Sequence, residues 1–96
     1  MLVVVTYDVE LTKTAGAKRL RRVARICESV GVRVQNSVFE LMLDQTQLLQ
    51  IQQRLEQVID PEQDSIRFYL LGNHYQRRIQ SMGKPLRVEQ DGDLIF

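Results

Sequence analysis

Asp8 ends the most apolar segment of the chain, because residues 3–5 are all valine and lead through Thr6 and Tyr7 into a carboxylate. An ionised carboxylate cannot leave water without a partner, so Asp8 is either a solvated strand-end residue or part of a site. Magnesium is often held by one or two carboxylates together with waters and phosphate oxygens. We therefore predict that the Asp8 carboxylates of two symmetry-related chains hold a shared Mg²⁺ ion. Such an ion would support phosphodiester cleavage.

Basic residues are concentrated between positions 13 and 33, where seven of them face a single acid, Glu28. This segment is either a solvated helix face or a surface for phosphates. A solvated face usually interleaves acids for i, i+4 pairs, whereas uncompensated guanidinium groups suit phosphate oxygens. The residues that we predict to bind nucleic acid are Arg19, Arg21, Arg22, Arg25 and Arg33. Residues 40–64 carry six acids and one arginine, which predicts an acidic side as well.

Other reactive side chains carry weaker signals. His74 lacks a sequence-local partner, and Ser37 lacks the context of a nucleophile elbow. Cys27 lies on an apolar helical stripe, which is typical of an inert core residue. A single cysteine cannot form an intramolecular disulfide, and no secretory leader pattern is seen, so we expect a cytoplasmic protein. No apolar run approaches the roughly 20 residues that span a bilayer, so we expect no membrane function.

The elements that position these residues follow from periodicity. Residues 2–7 predict a strand, and residues 15–30 predict a helix with Gly31 as its stop. Residues 32–43 alternate with a phase change at Asn36-Ser37, which indicates a bulge or bend in a long strand. Asp44 or Thr46 caps a second helix that ends at Asp60-Pro61, and residues 65–71 form the last strand of this core.

The predicted order is βαββαβ within residues 1–72, which is the α+β, ferredoxin-like arrangement: an antiparallel sheet with both helices on one face. Residues 1–96 form a single domain, in which residues 73–96 are a tail with two strand-like pieces at 85–88 and 94–96. An apolar end such as residues 94–96 needs cover. We therefore expect the tail to add a strand to the sheet of a second copy and to complete a homodimer.

Three stretches in this order resemble the CRISPR-associated Cas2 family: VVVTYDV at the amino terminus, KRLRRVARICESVGVRVQNSVFE at 18–40 and DSIRFYLLG at 64–72. The closing LIF and the QNSVFE form resemble the branch found with type I-C systems. The resemblance implies that Asp8 is the catalytic aspartate and the magnesium ligand shared across a homodimer, with Tyr7 beside it as a substrate contact. It also implies basic residues near nucleic acid at Arg19, Arg22 and Arg33, and an architectural role for the Gly31 turn and the second strand.

Members of this family are described as metal-dependent endoribonucleases, as double-strand DNases and as non-catalytic scaffolds, so three hypotheses stay open. The first is an adaptation subunit that holds DNA while the Cas1 integrase inserts spacers into the CRISPR array. The second is a magnesium-dependent endonuclease that cuts single-stranded RNA or double-stranded DNA through paired Asp8 residues. The third is a non-catalytic ferredoxin-like regulatory or RNA-binding module, although SIRFYLLG lacks the aromatic and glycine pattern of an RNA-recognition motif. We rank the scaffold role above the nuclease role.

Overall fold

A computed structural model describes residues 1–84, which form a four-stranded antiparallel sheet and two helices. The elements are β1 (Leu2–Asp8), α1 (Thr14–Glu28), β2 (Gly31–Gln35), β3 (Val38–Met42), α2 (Gln45–Glu56) and β4 (Ser65–Gly72), followed by a short 3-10 helix at Gln76–Arg78. The order confirms the predicted ferredoxin-like βαββαβ arrangement.

The sheet has the strand order β2-β3-β1-β4, so β1 is a central strand with an antiparallel neighbour on each side. Val5 lies opposite Phe39 of β3 and Phe68 of β4, and this register fixes which side chains share a face. Because side chains alternate along a strand, a shift by one residue would exchange the two faces. The position of Asp8 at the end of β1 is thus determined by the apolar residues that precede it.

Both helices pack on one face of the sheet. The sheet residues Val3, Val5 and Phe39 belong to the same buried cluster as Val23 of α1 and Ile51 of α2. The apolar stripe of α1 includes Cys27, which is buried and free, and burial raises the pKa of its thiol to about 12. The thiol therefore stays protonated near neutral pH, which agrees with the predicted inert core role.

The segment 32–43 differs from the expected bent strand. The chain reverses at Asn36-Ser37, and β2 pairs antiparallel with β3 in a hairpin. The phase change in the sequence therefore marks the junction of two strands. An irregularity in the register does occur, but it lies between Arg33 and Gln35 within β2.

Gly31 has a different role from the predicted helix stop. Helix α1 ends at Glu28 with Ser29 as its C-cap, and Gly31 begins β2 without a positive φ. A Cβ atom at position 31 would lie 2.3 Å from the Glu40 carbonyl oxygen and 2.4 Å from the Leu41 side chain. Glycine is required here because β2 and β3 approach each other closely at this point.

Asp44, and not Thr46, caps α2. Its carboxylate accepts a hydrogen bond from the Gln47 backbone N–H at 2.7 Å, and the Gln47 side chain accepts one from the Asp44 N–H at 2.9 Å. This reciprocal capping box stabilises the helix start by about 1 kcal/mol. The helix ends at Glu56, earlier than the Asp60-Pro61 boundary that the sequence predicts.

The two strand-like pieces of the tail, at 85–88 and 94–96, lie outside the described residues. Their predicted pairing with a second copy therefore stays a prediction. No helix within residues 1–84 has both the length and the apolar character that crossing a membrane would need.

Candidate functional site

Asp8 is exposed at the carboxyl end of β1, opposite Ser65 at the start of β4. Two polar depressions meet at this carboxylate. The first has acidic walls that include Glu10 and Glu62. The second is lined by hydroxyl-bearing side chains and one arginine, namely Thr6, Tyr7, Ser37, Ser65 and Arg67.

The donor set around Asp8 is incomplete within one chain. Among residues 1–84, no three His, Cys, Asp or Glu side chains lie together in a way that could hold a metal ion. Magnesium does not need such a cage, because it commonly uses one or two carboxylates and keeps several waters. An exposed Asp8 with open space on both sides fits this use.

Tyr7 and Arg19 converge on Asp64, a buried carboxylate just before β4. The Tyr7 hydroxyl donates to Oδ2 of Asp64 at 2.5 Å, while Arg19 donates from Nε to Oδ2 at 2.8 Å and from Nη2 to Oδ1 at 3.0 Å. The Asp60 backbone N–H adds a fourth hydrogen bond at 2.9 Å. Asp64 is thus fully satisfied, and the network ties together β1, α1 and the loop before β4.

The ionisation of this network follows from its hydrogen bonds. Burial by itself raises the pKa of Asp64, but the hydrogen bonds from Arg19, the Asp60 N–H and Tyr7 together outweigh burial, so the pKa is lowered. Burial, and next the hydrogen bond to Asp64, raise the pKa of Tyr7. Near neutral pH the site therefore holds an ionised Asp64, a neutral Tyr7 and a charged Arg19.

Sequence reasoning missed Asp64 and gave Arg19 and Tyr7 a more exposed position than they have. The Tyr7 side chain is 2 % exposed, so the predicted substrate contact, which stays a prediction, would require the ring to be uncovered. Two of the guanidinium nitrogens of Arg19 are engaged by Asp64. The signal in the sequence was topological: β1 and β4 are antiparallel neighbours, so the residues before β4 must lie near the end of β1.

Three of the predicted arginines come together on the surface. Arg21 and Arg25, one turn apart on α1, line a depression with Arg33 of β2, and Glu28 is the one acid in its wall. Arg33 is held in place because its Nε donates to the Asn36 carbonyl oxygen at 2.8 Å and its guanidinium lies 5.8 Å from the Phe39 ring centre. We call Arg21, Arg25 and Arg33 the arginine cluster.

Arg22 does not line this depression. It is exposed on α1, one turn after the exposed Lys18 and three residues before Arg25. Residues three or four apart on a helix are neighbours, so Arg22 and Lys18 extend the basic surface along α1 beside the cluster. The five predicted arginines thus comprise the cluster of three, Arg22 next to it on α1, and Arg19 in the internal network.

The sheet face opposite the helices carries an unusual carboxylate. Val4, Glu40 and Tyr69 lie side by side on this open face, in register across β3, β1 and β4. Glu40 is 9 % exposed, and its Oε1 atom has no hydrogen-bond partner among the described residues. Burial raises the pKa of Glu40. A face with a buried carboxylate and half-exposed Met42 and Tyr69 is suited to contact with another surface.

Comparisons with known proteins agree on one family. A family model described as CRISPR associated protein Cas2 matches residues 1–79. The chain is 46 % identical, over 96 residues and 100 % of both chains, to a CRISPR-associated endonuclease Cas2 from Halalkalibacterium halodurans. It is 45 % identical to a CRISPR-associated endoribonuclease Cas2 from Rhodospirillum rubrum, over 99 % of this chain and 100 % of that one.

Solved structures give the same result. A crystal structure of Streptococcus pyogenes Cas2 superposes with a TM-score of 0.81 at 53 % sequence identity, and the match covers 86 % of this chain and 100 % of that one. The fold and the sequence similarity therefore extend over most of the chain.

Proposed function

This chain belongs to the CRISPR-associated Cas2 family, and from that premise we propose that it is a homodimeric subunit of the CRISPR adaptation machinery. It binds nucleic acid and supports the integration of spacer DNA by the Cas1 integrase in the cytoplasm. The observation that carries the proposal is the arginine cluster, in which three exposed arginines surround a single acid, Glu28. The predicted assignment to the type I-C branch is part of the same proposal.

The arginine cluster suits a nucleic acid backbone. Guanidinium groups offer paired donors to phosphate oxygens, and contacts of this kind position a duplex without reading its sequence. Spacers differ in sequence, so a subunit that holds them must bind through the backbone. Arg22 and Lys18 extend the basic surface along α1.

The open face of the sheet supports the homodimer. Met42 and Tyr69 are 47 % and 44 % exposed there, beside the buried Glu40. Two copies related by a two-fold axis would each cover the open face of the other, since such an interface uses the same patch on both subunits. The tail at residues 94–96 would add a strand to the partner's sheet.

A second activity, magnesium-dependent endonuclease cleavage, is favoured by the exposure of Asp8. Relatives are named both endonuclease and endoribonuclease, which leaves DNA and RNA as alternative substrates. The Asp8 carboxylates of two subunits would hold the ion between them, since like charges brought close together require a cation or a proton. When bound, magnesium supplies an activated water and stabilises charge on the phosphate. Family membership gives no support to the third hypothesis, a non-catalytic ferredoxin-like regulatory or RNA-binding module.

Asp8→Ala separates the two roles. Because the Asp8 side chain is exposed and takes part in none of the described side-chain hydrogen bonds, the variant should keep its fold, its dimer and its affinity for duplex DNA. Magnesium-dependent cleavage of labelled RNA or DNA should be lost, with EDTA-treated wild type as the reference. Spacer acquisition in cells that carry wild-type Cas1 should stay normal. Loss of acquisition by a folded, dimeric, DNA-binding variant would reverse the ranking and make the metal site central.

A further inference from the structure

Asp64 is a buried carboxylate whose hydrogen bonds reach both segments of chain that flank Asp8. We propose that Asp64 is a positioning residue for the Asp8 site, which it supports through Tyr7 and Arg19. This inference rests on the second activity of the proposed function, in which Asp8 holds magnesium. Asp64 does not hold an ion itself, because both of its oxygens accept hydrogen bonds and its side chain is 0 % exposed.

The network lies on the side of the sheet that the helices cover. Tyr7 belongs to the buried cluster between the sheet and the helices, and Arg19 lies on α1. Successive side chains of a strand point to opposite faces, so Asp8 points away from that cluster. A second copy on the open face would therefore meet Asp8 and leave the hydrogen bond between Tyr7 and Asp64 unchanged.

The first connection to Asp8 runs along the strands. Asp8 and Ser65 are partners in the register of β1 and β4. Tyr7 and Asp64 directly precede them in the sequence, so the hydrogen bond from the Tyr7 hydroxyl ties the two strands together one residue away. Within residues 1–84, the register of β1 with β3 ends at Thr6, which leaves Asp8 paired with β4 alone.

The second connection runs through α1. The loop after Asp8 rests on this helix, as a Cβ atom at Gly16 would lie only 1.9 Å from the Glu10 carbonyl oxygen. Arg19 follows Gly16 by about one helical turn and donates to both oxygens of Asp64. Helix α1 is therefore fixed to the loop and to Asp64 within one turn. The segments before and after Asp8 are thus tied to the same carboxylate.

The donors around Asp64 call for a carboxylate. It accepts hydrogen bonds from the Tyr7 hydroxyl, from two nitrogens of Arg19 and from the Asp60 N–H. A carboxylate offers about four acceptor sites and no donor, whereas an amide would turn its NH₂ group toward other donors. A buried ion pair is often no more stabilising than apolar side chains of the same volume, but its directional hydrogen bonds select one geometry. The network therefore fixes the end of β1 as an apolar cluster would not.

The test measures the Mn²⁺ affinity of the full chain by electron paramagnetic resonance, in which the sharp signal of the free ion is lost on binding. Mn²⁺ takes the same oxygen ligands as Mg²⁺. Asp64→Asn should weaken Mn²⁺ binding about tenfold, which is typical of a change behind a metal ligand. Tyr7→Phe should weaken it about threefold, because one hydrogen bond is lost while the ring stays packed. In an Asp8→Ala background neither change should weaken binding further, and further weakening would overturn the proposal.

Tyr7→Phe separates geometry from charge. Asp64→Asn leaves Arg19 as an unmatched cation, which would repel a metal ion even if Asp8 kept its place. Tyr7→Phe changes no charge near neutral pH, and it decides the question alone if Asp64→Asn does not fold. A loss of affinity in Asp64→Asn, with Tyr7→Phe equal to wild type, would be an effect of charge and would overturn the positioning role.

Leu48→Ala is the matched control for lost stability. Leu48 is buried in the first turn of α2, which follows β3 at the end of the sheet opposite to Asp8. At a temperature at which circular dichroism shows every compared variant to be folded, Leu48→Ala should bind Mn²⁺ as wild type does. Light scattering at the same protein concentration measures the dimer fraction. A loss of affinity that is equal in Leu48→Ala, or that follows the dimer fraction, would overturn the proposal.

The outcomes also separate this inference from the proposed function. Wild type whose Mn²⁺ affinity is no higher than that of Asp8→Ala would overturn the proposed metal site and this inference with it. Wild type that binds Mn²⁺ through Asp8, with Asp64→Asn and Tyr7→Phe indistinguishable from it, would overturn this inference and leave the metal site standing.

Discussion

Arg19 and Asp64 form a bidentate ion pair across 45 positions of sequence, with N–O distances of 2.8 and 3.0 Å. The pair joins the basic helix α1 to the loop that precedes β4. Its carboxylate is fully buried, and the arginine side chain is 16 % exposed. The finding assigns a structural task to one of the arginines in a segment that otherwise suits phosphate binding.

Asp64→Ala should be strongly destabilising, because it leaves Arg19 and the buried Tyr7 hydroxyl without their acceptor. Removal of one partner from a buried pair costs about 3 kcal/mol or more. Urea unfolding should show a lower midpoint with an unchanged slope. Glu62→Ala, in the same loop but exposed, is the control and should shift the midpoint little. A loss below about 1 kcal/mol in Asp64→Ala would contradict the role assigned to the network.

The same pair predicts a pH dependence. Since the pKa of Asp64 is lowered in the folded state, its stabilisation is complete above the pKa of the unfolded chain and is lost as pH falls through the folded value. The free energy of unfolding of wild type should therefore exceed that of Asp64→Asn near pH 7, and the gap should narrow in acid. Equilibrium unfolding of both proteins from pH 7 to pH 2 measures it. A gap that does not change with pH would show that the charge of Asp64 is immaterial.

The buried Glu40 predicts a pH dependence of stability that is opposite in direction to that of Asp64. Burial raises the pKa of its carboxyl group in the folded state. The folded protein is therefore most stable with respect to this group below the usual glutamate pKa, and it loses that stability as pH rises through the folded value. Glu40→Gln should therefore stabilise the protein near pH 7, by about 1 kcal/mol, and make no difference in acid. Thermal unfolding at pH 4 and pH 7 measures this, with the exposed Glu56→Gln as control. A Glu40→Gln variant that is less stable than wild type at pH 7 would mean that a hydrogen-bond donor or a cation pairs with the ionised carboxylate.

The arginines of α1 should fall into two classes. Arg21→Ala and Arg25→Ala should each reduce the salt slope of DNA binding by about one while leaving stability nearly unchanged. Arg19→Ala should mainly lower the free energy of unfolding, because the Asp64 carboxylate then stays buried without a cation to pair with. Fluorescence anisotropy and urea unfolding on the same preparations measure both quantities. Equal effects of all three changes on stability would contradict the division.

Truncation after Gly83 tests the tail. The removed residues include the apolar end at 94–96, and the shortened chain should dimerise more weakly because that end can no longer pair with a second sheet. Light scattering at micromolar concentration measures the dimer fraction. A fully dimeric truncated chain would place the whole interface within residues 1–83.

The amino-acid sequence by itself predicted both helices, the first and last strands, the βαββαβ order and the place of Asp8 at the end of β1. These features depend on local patterns: the valine run before Asp8, the apolar spacing of α1 and the capping residue Asp44. It also showed the resemblance to the Cas2 family, because that resemblance depends on short sequence motifs. Local periodicity is readable because the helix and strand repeats fix which side chains share a face.

Tertiary structure alone decided which of the charged residues meet. Arg19 and Arg21 are two positions apart and chemically alike, yet one pairs with Asp64 and the other faces solvent in the arginine cluster. Arg67 lies beside Asp8, and Glu40 is buried on the open face, because the register of antiparallel strands sets neighbours that lie far apart in sequence. The free energy of each charge depends on these neighbours and on the water that they exclude, and neither is encoded in the spacing of residues along the chain.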